Sequence, residues 1–295
     1  MSNPRDWAEL LRVSALFTVP GDVLTGAAAS GLLLSHRTAL AAGASLCLYE
    51  AGMALNDWAD REEDTRERPH RPLPSGRIAP AQALTAAVAL TATGLGLSLA
   101  ADRRTALTAG ALAATVWAYD LRLKHTAAGP AAMSAARGLD LLLGAVATAG
   151  PSGSAGVRHA VRLAALPAAA LGAHTFAVTA VSRTETHGGA AGRSLAALAA
   201  TGVIGALIGA RPHQKAAGIA RILAGAYVAT AAQPFLHAAL NPSPQLTQRA
   251  VGGGIRAMIP LQAALTARSG APASAALLSA LIPAVRRLAR KVSPT

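Results

Sequence analysis

Polar loops divide the chain into ten apolar segments, most of them long enough to cross a lipid bilayer. A transmembrane helix needs about 20 mostly apolar residues, and such segments lie near residues 13–34, 38–57, 81–101, 105–121, 128–150, 159–182, 194–210, 217–239, 250–267 and 271–288. In lipid, every backbone N–H and C=O must be bonded within the protein, which favours helices. The expected fold class is therefore all-α: a polytopic integral membrane bundle of nine to ten helices, forming a single domain over residues 1–295.

The number of helices depends on the last two segments. Segments 9 and 10 are separated only by Arg268–Gly270, so they are either two spans or one broken element. Segments 7 and 10 have the weakest apolar pattern, which leaves nine or ten as the expected number of transmembrane helices.

The composition favours a membrane protein and argues against a nucleic-acid-binding one. Charged residues make up 14% of the chain, against about 25% in a typical soluble domain. The net charge of +13 would suggest nucleic-acid binding in a soluble domain. Here the arginines stand between apolar segments, where basic residues face lipid headgroups and set topology. The expected partners therefore include the lipid bilayer and exclude nucleic acid.

The distribution of basic residues predicts the orientation in the membrane. The loops and segment ends on the side of the N-terminus carry sixteen Lys and Arg residues, and those on the opposite side carry nine. Cytoplasmic loops are enriched in Lys and Arg. We therefore expect a multi-pass protein of the cell inner (plasma) membrane with its N-terminus and its second polar loop in the cytoplasm.

That second loop, NDWADREEDTRERPHRPLPSGR, contains six acidic residues and five arginines at residues 56–77. Asp57, Asp60 and Asp64 have the spacing of residues on one face of a helix, at the end of an apolar segment. Three carboxylates so arranged repel one another unless a cation neutralises them, and hard oxygen ligands suit Mg²⁺. Arginine binds phosphate oxygens through two parallel hydrogen bonds. The loop is thus either a solvated surface loop of mixed charge or a site for Mg²⁺ and a diphosphate with an apolar tail.

The same stretch strongly resembles the first aspartate-rich motif of the UbiA superfamily of intramembrane prenyltransferases. That motif is N-D-x-x-D-x-x-x-D followed by R-P-L-P-S-G, and about twenty residues match with the correct spacing. The even spread of helices along the chain fits the family as well. The resemblance implies a UbiA-type fold and a Mg²⁺-dependent prenyltransferase.

The resemblance also implies roles for particular residues. By this likeness, Asn56, Asp57, Asp60 and Asp64 hold Mg²⁺ on a prenyl diphosphate, with Asp57 and Asp60 counted as catalytic. The substrate-binding residues by the same likeness are Asn56, Arg12, Arg68, Arg71 and Lys124. Arg183, in the loop after the sixth segment, is a further candidate because its guanidinium can bind phosphate oxygens. The sequence YDLRLKHT resembles the family's Tyr-plus-Lys stretch, which implies catalytic roles for Tyr119 and Lys124.

The second aspartate-rich motif of the family is altered in this chain. The loop after the sixth segment reads VSRTETHGGAAGRS and offers Glu185 as its carboxylate. Glu185 is therefore the expected metal ligand from this loop, and Arg183 and Arg193 are the cations available to neutralise a diphosphate. The SRTE…GG form resembles a divergent branch of the superfamily, the UbiA-like proteins of ebo-type gene clusters.

The expected function is transfer of a prenyl group from an isoprenoid diphosphate to a hydrophobic, often aromatic, acceptor. The altered second motif supports a different hypothesis, in which the protein binds or moves a lipid-like metabolite without catalysis. A transporter with inverted repeats is a third hypothesis, but its polar site should lie near the midplane. The acceptor and the prenyl chain length remain open.

Three polar residues within apolar segments complete the candidates. Charges inside a bilayer are expensive and usually functional, so Arg137 and Asp140 either line a cavity or form an i, i+3 ion pair. His174, within the sixth segment, is expected to be a hydrogen-bonded packing residue.

Overall fold

The computed structural model describes residues 3–12, 18–183, 189–210 and 212–280, and within these ranges all regular elements are helices. The α-helices are α1 (Pro4–Leu10), α2 (Val19–Ala29), α3 (His36–Ala59), α4 (Arg61–Glu67), α5 (Pro80–Ala101), α6 (Arg103–Ala118), α7 (Gly129–Ala149), α8 (Gly153–Ser182), α9 (Ala191–Ala210), α10 (Ala217–Leu240) and α11 (Pro244–Arg268). A π-helical turn, Tyr119–Leu123, extends α6. A further helical stretch covers residues 272–280.

The prediction of an all-α membrane bundle is confirmed. Among the described residues, five helical stretches are long and apolar enough to cross a membrane: His36–Ala59, Pro80–Ala101, Gly129–Ser182, Ala191–Ala210 and Ala217–Leu240. The third of these comprises α7 and α8, which a short 3-10 turn joins and which pack against each other. Segments 9 and 10 are separate elements, because a turn with φ +88° at Gly270 follows α11.

Helices α2 and α7 cross in direct backbone contact. A Cβ atom on Gly26 would lie 1.8 Å from the carbonyl oxygen of Leu141, and one on Gly144 would lie 2.0 Å from that of Val23. Only glycine permits this approach, and small residues are the usual means of close helix packing in lipid. The crossing brings α2 against the buried half of α7.

Polar side chains add cross-links between the packed helices. Thr25 on α2 lies 3.1 Å from Thr266 on α11 through their hydroxyl oxygens. Thr38 on α3 and Thr148 on α7 are 2.9 Å apart in the same way. Hydroxyl pairs of this kind satisfy groups that would otherwise be buried without partners, each contributing about 0.5–2 kcal/mol.

His174 has the contacts expected of a packing residue. Its Nε2 lies 3.0 Å from the Gly254 carbonyl oxygen, and its Nδ1 lies 3.1 Å from the Tyr227 hydroxyl. Because the carbonyl can only accept, Nε2 carries the proton and Nδ1 accepts from Tyr227. Both ring nitrogens are satisfied, so this buried side chain ties α8 to α10 and α11.

The short helix α1 is clamped onto the loop that precedes α5. Arg77 donates hydrogen bonds to Asp6 at 2.7 Å and to the two Glu9 carboxylate oxygens at 2.8 and 3.2 Å. Leu10 is fully buried in a cluster that includes Leu73 and Ile78. These contacts fix the end of α1, and therefore the positions of Leu11 and Arg12, which follow it directly.

We predict that docking of α1 weakens in acid and on removal of Arg77. The hydrogen bond from Arg77 is the largest cause that lowers the pKa of Asp6 below its ordinary value of 3.8. A lowered pKa stabilises the docked state above the ordinary value, and the contribution is lost as pH falls through the lowered pKa. The protection factors of the α1 amides, which are corrected for the slower intrinsic exchange in acid, should therefore fall below about pH 4.

Arg77→Ala should lower the same protection factors at neutral pH. Arg66→Ala is the matched control, because Arg66 is an exposed arginine of the same loop. Unchanged protection of α1 in Arg77→Ala would show that apolar packing alone docks the helix.

Candidate active site

The acidic motif is folded over a break between two helices. Helix α3 ends at Ala59, Asp60 joins it to α4, and Asp64 lies on α4. The expected row of carboxylates on one continuous helix is therefore wrong, because Asp60 leaves helical geometry at φ −87° and ψ 0°. The break turns α4 so that Asp57 and Asp64 are both buried and face a common arginine.

Three arginines compensate the charge of these two buried carboxylates. Nη1 of Arg71 lies 2.7 Å from Asp64 and 3.5 Å from Asp57. Arg12 reaches Asp57 at 3.0 Å, and Arg68 approaches Asp64 at 3.6 Å. A buried carboxylate without such partners would be strongly destabilising.

Arg12 reaches Asp57 from an unusual backbone conformation. It follows α1 directly and has φ +48°, the one positive φ outside glycine among the described residues. Such values are uncommon for residues with a side chain and concentrate at functional sites. The docking of α1 by Arg77 thus sets the position of Arg12.

Asp60 and the π-helical turn form the other side of the site. The Lys124 ammonium forms an ion pair with Asp60, and the Lys124 side chain is 9% exposed. Asn56 donates a hydrogen bond from Nδ2 to Asp120 at 3.1 Å. The structure therefore brings Asn56, Asp60 and Lys124 together with Tyr119 and Asp120 at one end of the bundle.

Asp120 is a site residue that the sequence analysis missed. It is 5% exposed, and it lies between Tyr119 and Lys124 in sequence. Its partner Asn56 is 64 positions away in the chain, so local spacing could not reveal the contact. The available signal was an acidic residue at the end of an apolar segment, beside the Tyr-plus-Lys stretch.

The oxygen donors of this site fit Mg²⁺. Asn56, Asp57, Asp60 and Asp64 offer amide and carboxylate oxygens, the ligand type that Mg²⁺ requires. Asp60 also forms a cluster with Glu63 and His125, whose ligand atoms lie within 4.8 Å of one another. Glu63 and His125 are exposed, and the imidazole nitrogen is a poorer ligand for Mg²⁺, so the carboxylates of the motif are the better candidates.

Arg183 lies beside this group, whereas Glu185 cannot be placed. Arg183 donates hydrogen bonds to the backbone carbonyls of Thr126 and His125, directly after Lys124. Glu185 falls within residues 184–188, outside the described residues, so its role as a metal ligand remains a prediction.

A cavity of about 250 Å³ opens next to these residues, between α3, α6 and α7. Arg12, Asn56, Tyr119 and Asp120 line the end nearest the acidic motif. We call this end, together with the adjoining motif carboxylates and their cationic partners, the mouth. The middle is mostly apolar, with Leu48, Met53, Leu112, Val116 and Met133 among its lining residues.

The other end of the cavity, which we call the polar floor, is formed by Ser45, Arg137 and Asp140. Arg137 does not pair with Asp140 as an i, i+3 ion pair within α7. Instead it forms an ion pair with Asp22 of α2, while Asp140 accepts a hydrogen bond from Ser45 at 2.8 Å. The prediction that Arg137 and Asp140 line a cavity is therefore confirmed.

The protein is a membrane bundle with a mostly apolar cavity, and buried carboxylates and cations surround the mouth of that cavity. Such a site suits an amphiphile with an anionic head and an apolar tail. The chain belongs to the UbiA prenyltransferase family, whose model matches residues 14–239.

Individual relatives agree with this membership. Digeranylgeranylglyceryl phosphate synthase of Ignicoccus hospitalis is 35% identical over 146 residues, which is 49% of this chain and 48% of that protein. Protoheme IX farnesyltransferase of Acidiphilium cryptum is 39% identical over 122 residues, 39% of this chain and 36% of that protein. The matched regions thus span about half, or less, of these relatives.

Solved structures support the fold. A UbiA homologue from Aeropyrum pernix K1 is 18% identical with a TM-score of 0.59, covering 90% of this chain and 97% of that chain. A UbiA homologue from Archaeoglobus fulgidus, solved with GPP and Mg²⁺, is 16% identical with a TM-score of 0.57, covering 95% of this chain and 99% of that chain.

We predict that Asp120 positions Asn56 at the mouth. Asp120→Ala removes the acceptor of the Asn56 amide, a hydrogen bond to a charged group that contributes about 1.5–3 kcal/mol. The affinity for Mg²⁺ and geranyl diphosphate, measured by calorimetry in detergent, should fall by about tenfold. In an Asn56→Ala background, Asp120→Ala should cause little further loss, because Asp120 acts through the Asn56 amide.

Glu62→Ala is the control for Asp120→Ala. The Glu62 side chain is 84% exposed and belongs to the same end of the bundle. Additive losses in the Asp120→Ala, Asn56→Ala double variant would show that the two residues act independently.

Proposed function

We propose that the protein is a Mg²⁺-dependent prenyltransferase that moves a prenyl group from an isoprenoid diphosphate to a hydrophobic acceptor within the membrane. The observation that carries the proposal is the placement of Asp57, Asp60 and Asp64 beside Arg12, Arg71 and Lys124 at the mouth of the apolar cavity. This arrangement accommodates both the charge of a diphosphate and an apolar tail.

In this proposal, Asn56, Asp57, Asp60 and Asp64 hold the metal, and Glu185 is a further proposed ligand. Bound Mg²⁺ supplies a Lewis acid that neutralises charge on diphosphate oxygens. Arg12, Arg68, Arg71 and Arg183 bind the diphosphate. The first three are paired with motif carboxylates, and these arginines would be available to diphosphate oxygens if the carboxylates held Mg²⁺.

Tyr119 and Lys124 act at the boundary between diphosphate and cavity. Hydrogen bonds from the Tyr119 hydroxyl and the Lys124 ammonium stabilise the negative charge that develops as the C1–O bond breaks. The allylic cation left on the prenyl group lies in the apolar middle of the cavity, from which water is excluded. The acceptor then forms a bond to C1 and releases a proton, and the diphosphate leaves through the mouth.

We predict that Asp57→Asn and Asp60→Asn each weaken Mg²⁺-dependent binding of geranyl diphosphate. An amide lacks the negative charge that a metal ligand supplies here, so the affinity should fall by at least about tenfold. Because Asp57 is 4% exposed and paired with two arginines, its replacement should also lower the melting temperature.

Binding is measured by titrating Mg²⁺ at fixed geranyl diphosphate, with Glu62→Gln as the control. Wild-type Mg²⁺ dependence in either Asp variant would overturn the assignment of the metal ligands. Mg²⁺-dependent binding in the wild type without release of diphosphate, across a panel of acceptors, would favour a non-catalytic binding protein.

We propose further that the mouth faces the cytoplasm of a cell with the protein in its inner membrane. Arg37, Asp102 and Gly150 lie together at the other end of the bundle, since Arg37 and Asp102 are 3.8 Å apart and both adjoin Gly150. Three connections predicted to be external therefore lie on the same side, which supports the topology that the charge distribution favours.

The orientation predicts which engineered cysteines react in intact cells. In a Cys47→Ala background, Ser75→Cys should resist a membrane-impermeant maleimide until the cells are opened. Ser154→Cys, an exposed position near Gly150, should react at once. The opposite pattern would reverse the topology.

A further inference from the structure

The cavity is charged at both ends and apolar between them. At its inner end, Ser45, Arg137 and Asp140 replace the apolar side chains that line the middle. The three are largely buried, and their partners lie on other helices: Arg137 pairs with Asp22, and Ser45 donates to Asp140. A charged group in the membrane interior is expensive and is retained where it serves a function.

Further buried hydrogen bonds on the side away from the cavity hold the residues of the polar floor in place. Asp22 is fully buried, and it also accepts a hydrogen bond from Nε2 of Gln262, which donates a second bond to the Thr18 carbonyl. These contacts join α2, α3, α7 and α11. Moving the floor to admit a longer ligand would break several buried polar contacts at once.

The depth of the cavity follows from α3, which runs along it. Ser45 lies eleven residues before Asn56 on this helix, about 16 Å along the axis at ~1.5 Å per residue. A geranyl chain has seven bonds along its length and extends about 10 Å, whereas the fifteen bonds of geranylgeranyl extend about 20 Å, at less than ~1.5 Å advance per bond. The volume of about 250 Å³ is also below the roughly 300–1,000 Å³ of most small-molecule pockets.

We infer that the polar floor limits the donor to a prenyl diphosphate with a chain shorter than geranylgeranyl, such as geranyl diphosphate. This inference rests on the proposed function, because it assumes that the diphosphate lies at the mouth. The end of a geranyl chain stays within the apolar middle. A geranylgeranyl chain in the cavity would press methyl groups against Arg137 and Asp140, where they displace polar contacts and gain no apolar burial. The floor thereby acts as a determinant of chain length.

The first test compares donors in the wild-type protein. Affinities of geranyl and geranylgeranyl S-thiolodiphosphates are measured with Mg²⁺ in the same detergent, so that no turnover occurs. The geranyl compound should bind about tenfold more tightly or better. Equal binding, or a preference for geranylgeranyl, would mean that longer chains leave the cavity sideways, and it would overturn the inference.

The second test places a larger side chain at the inner end of the cavity. Ala136 lines the inner end of the cavity and is 8% exposed, whereas its neighbour Ala135 is exposed on the outer face of α7. Ala136→Leu should weaken geranyl binding by about tenfold and leave binding of inorganic pyrophosphate with Mg²⁺ unchanged. Ala135→Leu, the same substitution one residue away, should change neither.

Pyrophosphate binding also reports whether Ala136→Leu is folded, and Ala136→Val replaces it if that binding is lost. Undiminished geranyl binding in the folded variant would show that the chain does not reach the floor. These outcomes are separable from failure of the proposed function. If Mg²⁺-dependent, Asp57-dependent binding is absent for every donor, the proposed function fails; if such binding is present but independent of chain length, only the limit on chain length fails.

Discussion

The backbone contact between α2 and α7 is the constraint on which the rest of the site depends. Gly26 and Gly144 remove the side chains that would hold the two helices apart. Asp22 lies about one turn before Gly26, and Arg137 lies about two turns before Gly144. The crossing therefore delivers a carboxylate of α2 to a guanidinium of α7 in the interior, where neither would be tolerated alone. The polar floor is a consequence of helix packing, and residues with side chains at these glycines would separate its members.

The mouth depends on a different balance, in which the repulsion between neighbouring carboxylates is offset by basic side chains. Asp57 and Asp64 are brought close by the helix break at Asp60, which places two buried negative charges beside each other. Arg71 contacts both, and Arg12 is held near Asp57 by the docking of α1. Because every carboxylate of the motif has a cationic neighbour, the site can exchange ion pairs for metal and diphosphate without exposing an uncompensated charge.

The two ends of the cavity together restrict which ligands can bind more than either end does alone. The mouth selects for an anionic head, and the polar floor sets the length of apolar chain that fits beneath it. The apolar middle contributes little specificity of its own, since the flexible side chains of Met53 and Met133 adapt to many shapes. In this protein, affinity is therefore expected to reside mainly in the mouth, and discrimination between donors in the floor.

The sequence by itself determined the fold class, the positions of the helices and most of the mouth. Apolar runs of fixed length can only become helices in lipid, and a motif of local spacing reports on residues that remain neighbours after folding. Asn56, Asp57, Asp60 and Lys124 were found in this way. Only the tertiary structure revealed the helix break at Asp60, the contact of Asp120 with Asn56 and the pairing of Arg137 with Asp22. Arg137 and Asp140 have the spacing of an ion pair within one helix, but the crossing of α2 offered Arg137 a nearer carboxylate. Which of two possible partners a buried charge takes depends on how helices distant in sequence pack, and local spacing contains no information about that packing.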